Sequence, residues 1–99
     1  MGALHYDGLA TFTFDDRTLT HLRTVILSKL NLQESFAFTW SEGDHQRSIW
    51  IHPSLALHFE FDEVTTPPIN PAWVDALMAL ANAPAGLRVV GEPQQPTAK

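Results

Sequence analysis

Five histidines, His5, His21, His45, His52 and His58, are the side chains of this 99-residue sequence best suited to hold a metal ion or move a proton. No cysteine accompanies them, which excludes thiolate zinc sites, iron–sulfur clusters and thiol nucleophiles. A helical zinc motif sets two histidines four apart, and no such pair occurs. Only His52 and His58 fall on segments that read as neighbouring strands with side chains on the same, non-core face, and Glu60 would complete a minimal set of three. Histidines beside an aromatic such as Trp50 on a half-exposed sheet more often pack and hydrogen-bond than ligate. No metal or other cofactor is assigned on this pattern.

His5-Tyr6-Asp7-Gly8 resembles the Lys-x-Asp-Gly string of nucleotidyltransferases, whose lysine amine attacks the α-phosphate of ATP. Histidine stands at the lysine position, and the only lysines are Lys29 and Lys99, so the adenylation nucleophile is absent. Asp7-Gly8 reads instead as a hairpin turn. Ser54 follows His52-Pro53 without a Gly-x-Ser-x-Gly elbow, and a turn explains all three residues. Asp15-Asp16 and Asp62-Glu63 would serve acid–base chemistry only if the fold joined them; helix capping and solvated loop charge are the favoured readings. The five glycines stand singly, so no phosphate-cradling loop exists.

A chain that is 44% hydrophobic and 17% charged forms one domain with a single core. Six basic against eleven acidic residues, net charge −5, argue against a phosphate-backbone binder. Apolar runs are too short to span a membrane, and the start MGALHYDG lacks a signal-peptide pattern, so a cytoplasmic protein is expected.

The elements that would position these residues follow from periodicity. Segments 3–6 and 9–14 predict a hairpin around a Tyr6-Asp7-Gly8 loop, with Leu4, Ala10, Phe12 and Phe14 on one face. Asp15-Asp16 offers an N-cap for a helix over 16–30, ended by a left-handed Asn31. From Glu34 the period becomes two. Phe38 is expected opposite Ile51 and Trp40 opposite Ile49 across a Gly43–Gln46 loop, and a third strand, 55–61, sets His58 opposite Trp50, giving a three-stranded meander. Asn70-Pro71 begins a second helix, 71–82, followed by a short strand, 87–90. Residues 1–91 then form a single domain and 92–99 a flexible C-terminal tail. The order ββαβββαβ predicts an α+β fold, an antiparallel sheet with two helices packed on one face. Its expected core is Phe12, Phe14, Leu22, Ile26, Phe36, Phe38, Ile49, Ile51, Leu57, Phe59, Trp73, Leu77 and Leu80.

The outward sheet face is unusually small, aromatic and weakly charged. Thr39, Ser48, Trp50, His52, His58 and Glu60 define it, with Ala37 and Ala56 between them. Such a face calls for cover, either by the tail, a loop or a helix of the same chain or by a second copy or another protein; the second is the favoured reading and points to a noncatalytic interaction module, self-associating as a homodimer. The competing readings are an accessory of nucleic-acid metabolism, which the charge opposes, and a small metal- or histidine-dependent hydrolase centred on His52 and His58.

The strings FDDRTLTHL, ESFAFTW, SIWIHPSLALHFEF and NPAWVDALMALANAPAGL, spread over nearly the whole domain, resemble a family of small actinobacterial proteins of unknown function. Some of its members carry the label ATP-dependent DNA ligase, which is where the nucleic-acid reading comes from. The family supplies no catalytic residue to carry over, and His5 in place of lysine argues against a functional ATP-dependent ligase.

Overall fold

Asp15 starts the first helix by chemistry rather than hydrophobicity: its Oδ2 accepts the backbone N–H of Thr18 at 2.9 Å, satisfying a donor that the first turn leaves free. The computed structural model describes residues 1–93. Helix α1 runs Asp16–Asn31. Asn31, expected to be the left-handed residue that ends it, is still helical, and the positive φ, 61°, falls two residues later at Gln33. Gln33 N–H then returns to Leu30 O and Glu34 N–H to Lys29 O, the paired bonds that close a helix with a left-handed residue. Helix α2, Pro71–Ala81, is capped as its sequence implied, with Asn70 Oδ1 accepting Ala72 N–H at 3.0 Å and Pro71 in the first turn.

Six strands accompany the helices: β1 Gly2–Tyr6, β2 Ala10–Phe14, β3 Phe36–Glu42, β4 His45–Ile51, β5 Leu57–Glu60 and β6 Leu87–Arg88. The α+β class, the order ββαβββαβ and the two helices are as the sequence implied, and every strand pair but β3–β6 is antiparallel. The β1–β2 hairpin sets Leu4 opposite Phe12, on one face as expected. Tyr6 pairs with Ala10, so its loop is Asp7-Gly8-Leu9, one residue later than predicted. Leu9 N–H bonds Tyr6 O at 2.8 Å, and Asp7 and Gly8 both take positive φ, 53° and 70°. That is the turn whose twist matches a hairpin.

Two pairings differ from the sequence reading. Phe38 lies opposite Ile49 and Trp40 opposite Arg47, leaving only Gly43 and Asp44 as the β3–β4 loop. A slip of two residues keeps every side chain on its face, so alternation does not distinguish the two registers, whereas the shorter loop does. More consequentially, no meander forms. β5 pairs with β1, setting His58 opposite His5 and Phe59 opposite Leu4, and the strands divide into two sheets of order β2-β1-β5 and β4-β3-β6. The turn after Ile51 carries the chain across: Asp7 N–H bonds Ala56 O at 2.7 Å, and the Tyr6 hydroxyl bonds Trp50 O at 2.9 Å. The end of β1 is thus tied to the end of β4 by the Tyr6 side chain and to the segment before β5 by backbone. β6 runs parallel to β3, with Leu87 opposite Phe38.

The inner faces of the sheets meet through aromatic rings, Phe12 against Trp40 with ring centres 4.9 Å apart and Phe14 against Trp40 at 5.4 Å. Leu19, Leu22, Val25 and Ile26 of α1 and Trp73, Leu77 and Ala81 of α2 join them in one core. Of the expected core residues, Phe14, Leu22, Ile26, Phe36, Phe38, Ile51, Trp73 and Leu77 are buried, while Phe12, Ile49, Leu57 and Phe59 pack partly buried against them. Leu80 stays outside the core. The inward stripe of α2 is Trp73, Leu77 and Ala81, four residues apart, and Leu80 falls beside it. Within the predicted tail, Glu92 bonds both Arg17 and Asn70; residues from 94 onward lie outside the described part of the chain.

Candidate functional site

The alternation that buries Phe36, Phe38 and Ile51 turns Thr39, Ser48 and Trp50 to the opposite face of the β3–β4 hairpin. Thr39 and Ser48 are cross-strand partners whose hydroxyls bond at 2.7 Å, and Trp50 lies opposite Ala37. Trp50 is 54% exposed, whereas Trp40 and Trp73 are core residues at 6% and 4%. Its indole flanks a cleft of about 280 Å³ whose far wall is the end of α2 and the segment after it, Asn82, Ala83, Pro84 and Gly86. Gly86 takes φ +90° and lies so close to β3 that a Cβ there would stand 2.5 Å from Ala37 O. The rim opposite Trp50 therefore rests directly on the strand.

Lys29 also lines the cleft, with its side chain 7% exposed. Its ammonium bonds Asn82 Oδ1 at 2.5 Å and pairs with Glu34. A buried ammonium needs such partners, and these two tie the end of α1 to the end of α2. Lys29 is thus a strut between helix ends, and nothing in the sequence pattern marked it as buried.

His58 and Glu60 do not belong to the Trp50 face. Because β5 pairs with β1, they stand on the outer face of the other sheet, and the expected side-by-side placement of Trp50 and His58 does not occur. Their neighbour is His5. The His5 and His58 rings have centres 5.0 Å apart, His5 Nε2 lies 2.9 Å from Glu60 Oε1, and His5 Nδ1 lies 3.1 Å from the Thr11 hydroxyl. His52 joins neither group; it follows β4 half-buried and gives its carbonyl to Leu55 N–H. The sequence-derived face therefore splits into Thr39, Ser48 and Trp50 on one sheet and His58 and Glu60 on the other.

All of these features lie within residues 1–92, the stretch matched by DUF7882, a domain of unknown function. The chain belongs to the DUF7882 family. No curated protein and no solved structure matches it significantly. In this DUF7882 domain the carboxylates Asp16 and Asp62 do approach each other, but around the Met1 ammonium, which bonds Asp62 Oδ2 at 2.5 Å and lies 3.9 Å from Asp16 Oδ1. This is charge neutralisation rather than an acid–base pair, and the Asp62 bond raises the ammonium's pKa above its ordinary value. Among the described residues no helix of the DUF7882 domain is long and apolar enough to cross a membrane.

Proposed function

We propose that this protein is a noncatalytic, cytoplasmic protein-interaction module that associates with a second copy of itself through the Trp50 face. The observation that carries the reading is Trp50 itself, a large aromatic half in solvent while the other two tryptophans are core residues. Tryptophan is the side chain most enriched among residues that dominate interface energetics. The location favours association as well. β4 is paired on one side only, with β3, and its outward side chains around Trp50 are the small, uncharged Ser48 and Ala37 of the adjoining strand. An edge strand flanked by such a face is suited to a self-complementary two-fold contact.

The nucleic-acid reading finds less support. Arg17, Lys29 and Arg47 are each committed to a glutamate, Glu92, Glu34 and Glu42. The chain is acidic overall. A hydrolase centred on His52 and His58 is also disfavoured, since the two side chains stand on different elements and neither lines the cleft beside Trp50.

Sedimentation at micromolar concentration tests the proposal, with Trp50→Glu beside the wild type. The expected result is a wild-type dimer and a monomeric variant that keeps its near-ultraviolet CD. A wild-type monomer at neutral pH would refute self-association.

A further inference from the structure

The outer face of the β2-β1-β5 sheet carries a second group of side chains that the proposed interaction does not use. From its geometry we infer that His5, His58 and Glu60 form a binding site for a divalent transition-metal ion of the zinc type.

The argument begins with the sheet. His5 and His58 are direct cross-strand partners, so both imidazoles must leave the same face side by side. Glu60 is two residues further along β5 and shares that face. Two imidazoles bound to one tetrahedral ion at about 2.0–2.1 Å place their ring centres about 5 Å apart; those of His5 and His58 are separated by 5.0 Å. Two ligand atoms on such an ion stand about 3.3 Å apart, and His5 Nε2 and Glu60 Oε1 lie at 2.9 Å. A shift of the carboxylate that gives up this hydrogen bond admits the ion between them.

The outer arrangement of His5 fits as well. A ligating histidine is held by a hydrogen bond at its other nitrogen, and His5 Nδ1 has the Thr11 hydroxyl at 3.1 Å. A hydroxyl both donates and accepts, so it suits the neutral ring that donates to Glu60 as well as the metal-bound ring that must donate from Nδ1. Imidazole nitrogen and carboxylate oxygen are the donor set of zinc-type ions, and three protein ligands leave a position for water. Among the described residues no three such groups already converge on one point. Binding therefore requires His58 and Glu60 to reorient toward a common point; both side chains are solvent-exposed, and Glu60 exchanges its bond to His5 for the ion. The expected set of His52, His58 and Glu60 thus becomes His5, His58 and Glu60, because β5 pairs with β1 and not with β4.

Titration calorimetry of the full chain with zinc chloride, in a buffer that does not chelate, tests the site. The expected result is one ion per chain at micromolar affinity, weakened at least about tenfold by His58→Ala or His5→Ala and also weakened by Thr11→Val. His45→Ala, remote on β4, should leave it unchanged, and magnesium chloride should give no comparable binding. These positions lie outside the core, and far-ultraviolet CD checks that each variant remains folded. Absence of saturable zinc binding below about 1 mM, or equal affinity in wild type and both histidine variants, would overturn the inference.

Discussion

Asn70 gives its backbone N–H to Nε2 of His21 at 2.8 Å, and this bond settles which nitrogen of the ring carries the proton. An N–H can only donate, so Nε2 accepts, and the proton resides on Nδ1, which donates to Arg17 O at 2.7 Å. His21 is fully buried against Trp73, with ring centres 4.5 Å apart. The ring therefore links the first turns of α1 to the residue that caps α2.

Replacing His21 by leucine keeps an apolar side chain but orphans the buried Asn70 N–H. The expected loss is about 2 kcal/mol of unfolding free energy, the usual cost of an unsatisfied buried donor with some repacking. Urea denaturation measures it, and a loss under about 0.5 kcal/mol would show the bond to be energetically idle.

A second polar link reaches the same cap from the C-terminal side. Glu92 receives Arg17 Nε at 2.8 Å and Nη2 at 2.5 Å, and Asn70 Nδ2 at 2.8 Å. The Arg17 bonds first and the Asn70 bond second pull its carboxyl down to about 2 from an ordinary 4.5. A folded-state value below the unfolded one means that the interaction stabilises the fold above the ordinary carboxylate range and fades as pH falls from about 4.5 toward about 2. Glu92→Gln should therefore reduce the acid dependence of the thermal midpoint within that window and leave its slope near neutrality unchanged. Parallel acid profiles for the two proteins would contradict the assignment.

Local chemistry made these helix starts readable in advance, since Asp15 and Asn70 act on N–H groups only two or three residues away. Strand partners were a different matter. The alternation of Leu57, Phe59 and Phe61 says which side faces inward but is equally satisfied beside β4 or β1. The choice rests on contacts across about fifty residues, such as Tyr6 to Trp50 and Asp7 to Ala56. The candidate site inherited the same limit. The placement of Trp50, Thr39 and Ser48 opposite the core face follows from alternation along one hairpin, although Thr39 is itself buried, whereas bringing His5 to His58 required knowing that β1 lies beside β5.

Phe38 tests the core directly. It is fully buried, stacked on Trp40 with ring centres 4.8 Å apart and near Phe14 at 6.2 Å. Truncation to alanine removes a buried ring and leaves a cavity where the two sheets meet, so Phe38→Ala should cost about 3–5 kcal/mol. That is a large fraction of the stability of a small domain. A loss below about 1 kcal/mol would mean that Phe38 faces solvent and that the inner face of β3 is wrongly assigned.

Gly86 and Gly8 separate backbone strain from steric conflict. Both take positive φ, 90° and 70°, which any side chain resists. Nothing lies within 4 Å of a Cβ added at Gly8, so Gly8→Ala should lose only the conformational term, about 1–2 kcal/mol. At Gly86 the same methyl group would stand 2.5 Å from Ala37 O and 3.0 Å from Ala37 Cβ. Backbone cannot yield as a flexible side chain does, so the segment must lift away from β3. Gly86→Ala should then cost more than about 3 kcal/mol, strain and displaced packing together. Because Gly86 forms the rim opposite Trp50, the lifted segment should also change the environment of the indole, shifting Trp50 emission by comparison with Gly8→Ala. Equal losses for the two glycine variants would mean that Ala37 and Gly86 are not in contact, and the cleft beside Trp50 would lose its fixed wall.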